Sequence, residues 1–226
     1  MNWQDESFLL AKRKFRENAN IVDVFTNKYG KMSGIVYGGN SRKIRNYLQV
    51  SNKVYIIYNS KNNNKLGYFK TELIDPVAPK YFNDKRRTSA LLSITSILKI
   101  LLPESQPNKK IYNSLDKLIS NFSNKDWFLL YIFWELNLIK ELGYDPNLKN
   151  FENQNNLAND IIDCEVDSIK YQIPVFLIND KIPDEIDDKL IRKALIFNRS
   201  IMVNKFFQPN NIILPKSRII LENYFN

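Results

Sequence analysis

The chain has 226 residues, enough for one large or two small domains whose cores need no metal or disulfide staples. It carries no histidine and a single cysteine, Cys164, which excludes imidazole bases and ligands, serine or cysteine triads of the usual kind, intramolecular disulfides and thiolate zinc clusters. Its net charge of +9 is lopsided: residues 1–80 hold 14 Lys and Arg against 6 Asp and Glu, residues 81–226 hold 19 against 18, the distribution of a polyanion-binding module joined to an electrostatically neutral partner.

From Phe8 to Asp75 the residues alternate and favour β-branched and aromatic types, which predicts five strands. They fall at Phe8–Phe15, Ile21–Thr26, Met32–Tyr37, Lys53–Asn59 and Leu66–Ile74, with Arg16-Glu17-Asn18 turning between the first two. Gly30 supplies the positive φ of a tight turn, and a polar connection is expected at residues 60–65. Five short antiparallel strands fit a small closed barrel, an OB-fold, better than an open sheet with bare edges.

Pro76 and Pro79 mark a boundary between an OB-fold domain at residues 1–78 and a helical domain at 79–226, so the fold class is α+β. Helices are expected at about Asp84–Leu102, Asn108–Asn121 and Lys125–Gly143, with Leu91, Leu92, Ile94, Thr95, Leu98 and Leu101 on the apolar side of the first. The third carries a core stripe of Trp127, Leu130, Tyr131, Trp134, Leu138 and Leu142. Residues 145–185 are rich in Asn and Asp, with one short strand at Tyr171–Ile178, and helices at about Asp187–Phe207 and Pro215–Tyr224 complete the chain. The start, Met1 to Glu6, is acidic and lacks the form of a signal peptide, and Trp127–Ile139 is too short to span a bilayer, so a cytoplasmic protein is expected.

The segment Tyr37-Gly38-Gly39-Asn40-Ser41-Arg42-Lys43-Ile44-Arg45-Asn46-Tyr47 combines a glycine hinge, three cations in four positions and two flanking tyrosines. Fixed cations neutralise phosphates while exposed rings stack on unpaired bases, so it reads as a phosphate-gripping loop for single-stranded nucleic acid, against the plainer reading of a solvated hairpin loop. The candidate face comprises Arg13, Lys14, Arg16, Lys31, Arg42, Lys43 and Arg45 for the backbone, with Tyr37 or Tyr47 stacking on a base. Cys164 reads as a small packed residue. The acid pairs Asp160/Asp163 and Asp187/Asp188 read as solvated surface rather than a magnesium site.

Taken in order, these segments resemble the bacterial recombination mediator family RecO. The resemblance rests on Trp3-Gln4-Asp5-Glu6 through Arg13-Lys14-Phe15, on Ile21-Val22-Asp23-Val24-Phe25-Thr26-Asn27-Lys28-Tyr29-Gly30, and on the basic segment Gly38-Gly39-Asn40-Ser41-Arg42-Lys43 with Leu48-Gln49. It extends to Glu135-Leu136-Asn137-Leu138-Ile139-Lys140-Glu141-Leu142-Gly143-Tyr144 and to Lys216-Ser217-Arg218. It implies an N-terminal OB-fold with a helical C-terminal domain, and a DNA repair and recombination mediator without a covalent catalytic step. Such a protein binds single- and double-stranded DNA, anneals strands coated by single-strand-binding protein, and works with RecR to load RecA. It also implies a groove for the acidic tail of single-strand-binding protein, for which Lys216 and Arg218 are candidates, and a nucleoid-associated location.

This chain departs from the family pattern at Arg16-Glu17, where relatives have a Gly-Glu turn, and at Tyr37, where a cation usually precedes the glycines. Phe151 and the lone Cys164 stand where many relatives carry a four-cysteine zinc site, so no metal and no cofactor are expected. Phe133-Trp134-Glu135-Leu136 lacks the arginine often found there. Two other readings share the basic segment: an RNA-binding or ribosome-associated OB protein, and an adaptor whose basic face meets an acidic protein.

Overall fold

The computed structural model describes residues 2–60, 66–152, 160–179, 182–183 and 185–226. Most of the polar connection expected at 60–65 and part of the Asn- and Asp-rich stretch, 153–159, lie outside the described residues. The chain divides into two compact units, Met1–Ile119 with Pro215–Arg218, and Ser120–Leu214 with Ile219–Asn226.

The first unit is built on five strands, β1 Asn2–Phe15, β2 Ala19–Thr26, β3 Gly30–Tyr37, β4 Lys53–Asn59 and β5 Tyr68–Asp75, closed in the order β1-β2-β3-β5-β4. This is the OB-fold barrel expected from the alternation. β1 starts six residues earlier than the sequence pattern predicts, because residues 2–8 pair with β4 while residues 7–15 pair with β2. A register shift between Leu9 and Ala11 lets the strand turn from one neighbour to the other. Its inward row reads Trp3, Asp5, Ser7 and Leu9, and the two polar members are satisfied locally. Ser7 Oγ donates to the Val54 carbonyl at 3.1 Å, and the Asp5 carboxylate accepts the Lys28 N–H at 2.7 Å. The barrel core holds Trp3, Leu9, Val22, Val24, Val36, Val54, Ile56, Tyr58 and Phe69, with Trp3 stacked between Tyr29 at 4.1 Å and Tyr58 at 4.9 Å.

Between β3 and β4 a six-residue helix, α1 Arg42–Tyr47, stands where the sequence reading expects a basic loop. Ser41 caps it by accepting the Ile44 N–H at 3.4 Å, and Ile44, Tyr47 and Leu48 turn one side of it into the barrel core. After β5 come a single turn, α2 Val77–Lys80, then α3 Lys85–Leu101 and α4 Lys109–Ser120. Asp84 caps α3 through the Arg87 N–H at 2.9 Å. Leu92, expected on the apolar side of α3, is exposed, and Ser89, Ala90, Ser93 and Ile97 are buried instead. α4 lays Tyr112 over the outer surface of the barrel, its ring 5.6 Å from Phe8 and 5.5 Å from Phe25. Complete burial of Phe8 and Phe25 contributes about 1.5–3 kcal/mol each.

The second unit centres on α5 Trp127–Glu141, which is buried nearly all round rather than along one stripe; Leu130, expected in the stripe, is exposed. Glu135 lies fully inside, accepting the Tyr131 hydroxyl at 2.7 Å. Where one strand was expected there is a hairpin, β6 Ile161–Val166 and β7 Ile169–Pro174, turned by Asp167 and Ser168, both at positive φ. The helical turn α6 Phe176–Asn179 replaces the second half of the expected strand. α7 Asp188–Met202 follows, then α8 Lys216–Asn223, of which the residues from Ile219 belong to this unit, and Arg199 Nε donates to Glu222 Oε2 at 2.8 Å.

Candidate nucleic-acid interface

The outer surface of the barrel has two ends. At one, α4 covers Phe8 and Phe25. At the other, strand register lays two adjacent rows across the sheet, and nothing described in the first unit covers them. One row runs Arg13, Ile21, Ile35, Tyr68 through β1, β2, β3 and β5; the next runs Phe15, Ala19, Tyr37. Paired residues on neighbouring strands project to the same side. Val22 and Val36, at alternate positions, are sealed in the core, so these two rows face outward, with Ala19 alone of their members buried. Tyr37 is 58% exposed, and its ring lies 6.3 Å from that of Tyr68 at 57°. Ile21, Ile35 and Phe15 are half-buried between them. An OB-fold binds oligonucleotides on this side, flanked by the loops after its first and fourth strands.

Cations border the apolar rows. Arg13 ends one row, Arg16 sits with its guanidinium carbon 5.2 Å from the Phe15 ring centre, and Arg42, Lys43 and Arg45 stand exposed on α1. Hydrogen bonds lock the turn carrying Arg16 to the segment carrying Arg42. The Gly38 N–H donates to the Asn18 carbonyl at 2.7 Å, Asn40 Nδ2 to the Glu17 carbonyl at 2.8 Å, and Asn20 Nδ2 to Asn40 Oδ1 at 3.1 Å. Gly39 is required for this closure, since a Cβ there would stand 2.5 Å from Asn20 Nδ2. Arg16 has φ +56°, the left-handed region that favours glycine.

Not every expected residue joins this face. Lys14 shares the alternate row with Asn20 and Val36 and stands exposed at the barrel mouth. Lys31 pairs with Phe25 at the covered end, and its ammonium donates to the Lys99 carbonyl at 2.8 Å. Tyr47 is half-buried against the core, its hydroxyl donating to the Thr71 carbonyl at 2.7 Å, so of the two tyrosines only Tyr37 presents an open ring. Lys216 is exposed at the start of α8, whereas Arg218 is fully buried and does not stand on the surface as a tail-binding cation.

Sequence reasoning missed one member of the face. Tyr68 reaches the face through the parallel bridge to Ile35, a pairing that alternation along β5 does not reveal. Lys12, which pairs with Val22 on an alternate row, donates to the Leu48 carbonyl at 2.8 Å; burial first and the neighbouring Arg45 second hold its ammonium below the ordinary lysine range. In the second unit Cys164 is buried on β6, and burial together with Asp163 pushes its thiol up. Among the described residues no group of three or more Cys, Asp and Glu is placed to hold a metal ion, and no helix is long and apolar enough to cross a membrane.

Residues 1–77 match the family described as recombination protein O N terminal, and residues 83–155 match recombination protein O C terminal. Similar proteins include three named DNA repair protein RecO. That of Ehrlichia chaffeensis is 35% identical over 150 residues, 66% of this chain and 61% of the relative. That of Roseobacter denitrificans is 30% identical over 145 residues, 64% and 60%, and that of a Wolbachia of Drosophila simulans is 31% identical over 150 residues, 66% and 62%. The matched part of the chain spans about three fifths of the length of these relatives. The barrel coincides with the first matched segment and α3 through α5 fall within the second, so with both parts present in order the chain belongs to the recombination protein O family.

Proposed function

We propose that the chain is a DNA repair and recombination mediator that binds single- and double-stranded DNA and anneals strands coated by single-strand-binding protein. In this reading it also helps RecR load RecA. One observation carries the DNA-binding part: the register that lines up Arg13, Ile21, Ile35 and Tyr68 beside Phe15 and Tyr37, with Arg16, Arg42 and Lys43 on segments locked to their border. The cations neutralise backbone phosphates and the tyrosines stack on unpaired bases, so binding tolerates any sequence. Annealing follows, because a cationic surface that screens two polyanions lowers their repulsion without reading them. The residues at 1–78 act as the nucleic-acid-binding domain and those at 79–226 as the helical domain that meets protein partners, with Lys216 contributing charge towards an acidic tail.

The test is annealing of oligonucleotides coated with the cognate single-strand-binding protein, intact or lacking its acidic tail. Tail-dependent annealing is the expected result. With about five phosphates neutralised on a single strand, log K falls with log salt at a slope of about −3.5. A slope near zero, or a clear preference for RNA over matched DNA, would overturn this reading.

A further inference from the structure

Phe82 is 83% exposed, the most exposed aromatic ring among the described residues, and it lies between the two segments that match the family. It does not sit on a loose loop. The Tyr81 N–H donates to the Ala78 carbonyl at 3.3 Å, the Phe82 N–H to the Pro79 carbonyl at 3.4 Å and the Asp84 N–H to the Tyr81 carbonyl at 2.9 Å. Thr88 Oγ1 reaches back to the Tyr81 carbonyl at 2.7 Å. The fold thus holds an apolar ring out into water on a braced turn, where it adds nothing to the core.

Charge around it is mainly positive. Residues 80–87 contain four cations, Lys80, Lys85, Arg86 and Arg87, and one acid, Asp84. Lys80 pairs with Asp75, and Arg87 pairs with Asp84 and lies 5.7 Å from the Tyr81 ring centre. Lys85 and Arg86, three and four residues after Phe82, are exposed. A rigid exposed ring next to exposed cations suits a base with its neighbouring phosphates. The turn also starts from the far end of β5, whose eight residues place Asp75 about 24 Å along the strand from Tyr68.

We propose that Phe82, with Lys85 and Arg86, forms a second contact for single-stranded nucleic acid, separate from the open end of the barrel. The inference rests on the nucleic-acid-binding function proposed above and adds to it a second place where a strand is held, as an annealing protein requires.

A Phe82→Trp variant tests it directly, because Trp3, Trp127 and Trp134 are all buried and the introduced indole would be the exposed one. Titration with a short oligothymidylate should quench the variant's fluorescence well beyond any change in the parent protein. Phe82→Ala should bind the oligonucleotide about tenfold more weakly with an unchanged melting temperature. Lys85→Glu combined with Arg86→Glu should make the salt slope shallower by about 1.4. If the parent binds while Phe82→Trp stays unquenched and Phe82→Ala binds as the parent does, the second contact is wrong and the barrel face stands. If the parent itself fails to bind, the function proposed above fails and this inference with it.

Discussion

The two ends of the barrel's outer surface are made by the same strands with the same alternation, yet one is core and the other is open. At the covered end Phe8 and Phe25 meet Tyr112, and Lys53 bridges Glu6 at 3.0 Å and Asp116 at 2.8 Å. At the open end Ile21, Ile35, Tyr37 and Tyr68 occupy equivalent outward positions with cations at their border. A row of apolar residues on a strand therefore does not declare whether it packs or binds. What decides is whether a later segment, here α4, arrives to cover it.

The largest effect expected from this contrast is in stability. Phe25→Ala should cost about 3–5 kcal/mol in denaturant unfolding, whereas Tyr37→Ala should stay within about 0.5 kcal/mol. Equal losses at the two sites would abolish the distinction. Next come the bordering charges: Arg13→Glu with Arg42→Glu and Lys43→Glu should weaken oligonucleotide binding by about 2 kcal/mol or more and flatten the salt slope by about 2, leaving the melt unchanged. Tyr68→Ala and Tyr37→Ala should each lower affinity by about 1–2 kcal/mol, and Tyr47→Ala should instead lower stability because its hydroxyl is tied to Thr71.

A smaller effect is expected at the cap of α3. Asp84→Ala should cost about 1 kcal/mol, and Asp84→Asn much less, because an amide oxygen can still accept the Arg87 N–H. Partial burial works to raise the Asp84 carboxyl, but the Arg87 N–H and guanidinium outweigh it and hold the group below the usual carboxylate range. Its stabilisation is thus present above about pH 4 and is lost as pH falls through the lowered folded value, an acid limb that Asp84→Asn removes. The smallest effect is a gain: Arg16→Gly should stabilise the protein by about 0.5–1 kcal/mol by relieving the positive φ, while weakening oligonucleotide binding.

Alternation made β2 through β5 legible from sequence, and the proline pair made the change to helices legible. The first half of β1 was not, because its inward positions hold Asp5 and Ser7, polar groups satisfied by backbone partners 23 and 47 residues away. β6 escaped for the opposite reason: Asp163 and Glu165 face outward between buried residues, and acids in an Asn-rich setting read as loop. At the candidate interface the cations were visible as types and spacings, but their usefulness was not. Only the fold separates Lys31, spent on the Lys99 carbonyl, from Arg13 at the end of an open row, or an open Tyr37 from a packed Tyr47. Arg218 looked like a surface cation because a helix start of Lys-Ser-Arg gives no hint that its third residue turns inward.

The locked pair of turns around Asn40 has a consequence for what can change in this protein. Shape at the rim is held by Gly39, Asn20, Asn40 and backbone hydrogen bonds, and none of these carries charge. Charge is carried by side chains that the rim does not need in order to fold. The cations around it are therefore interchangeable in position: one can be deleted at Arg16 and restored at Asn18 with the frame intact. A designer retuning affinity could redistribute lysines and arginines there, but could not touch the two residues with no side chain, Gly38 and Gly39.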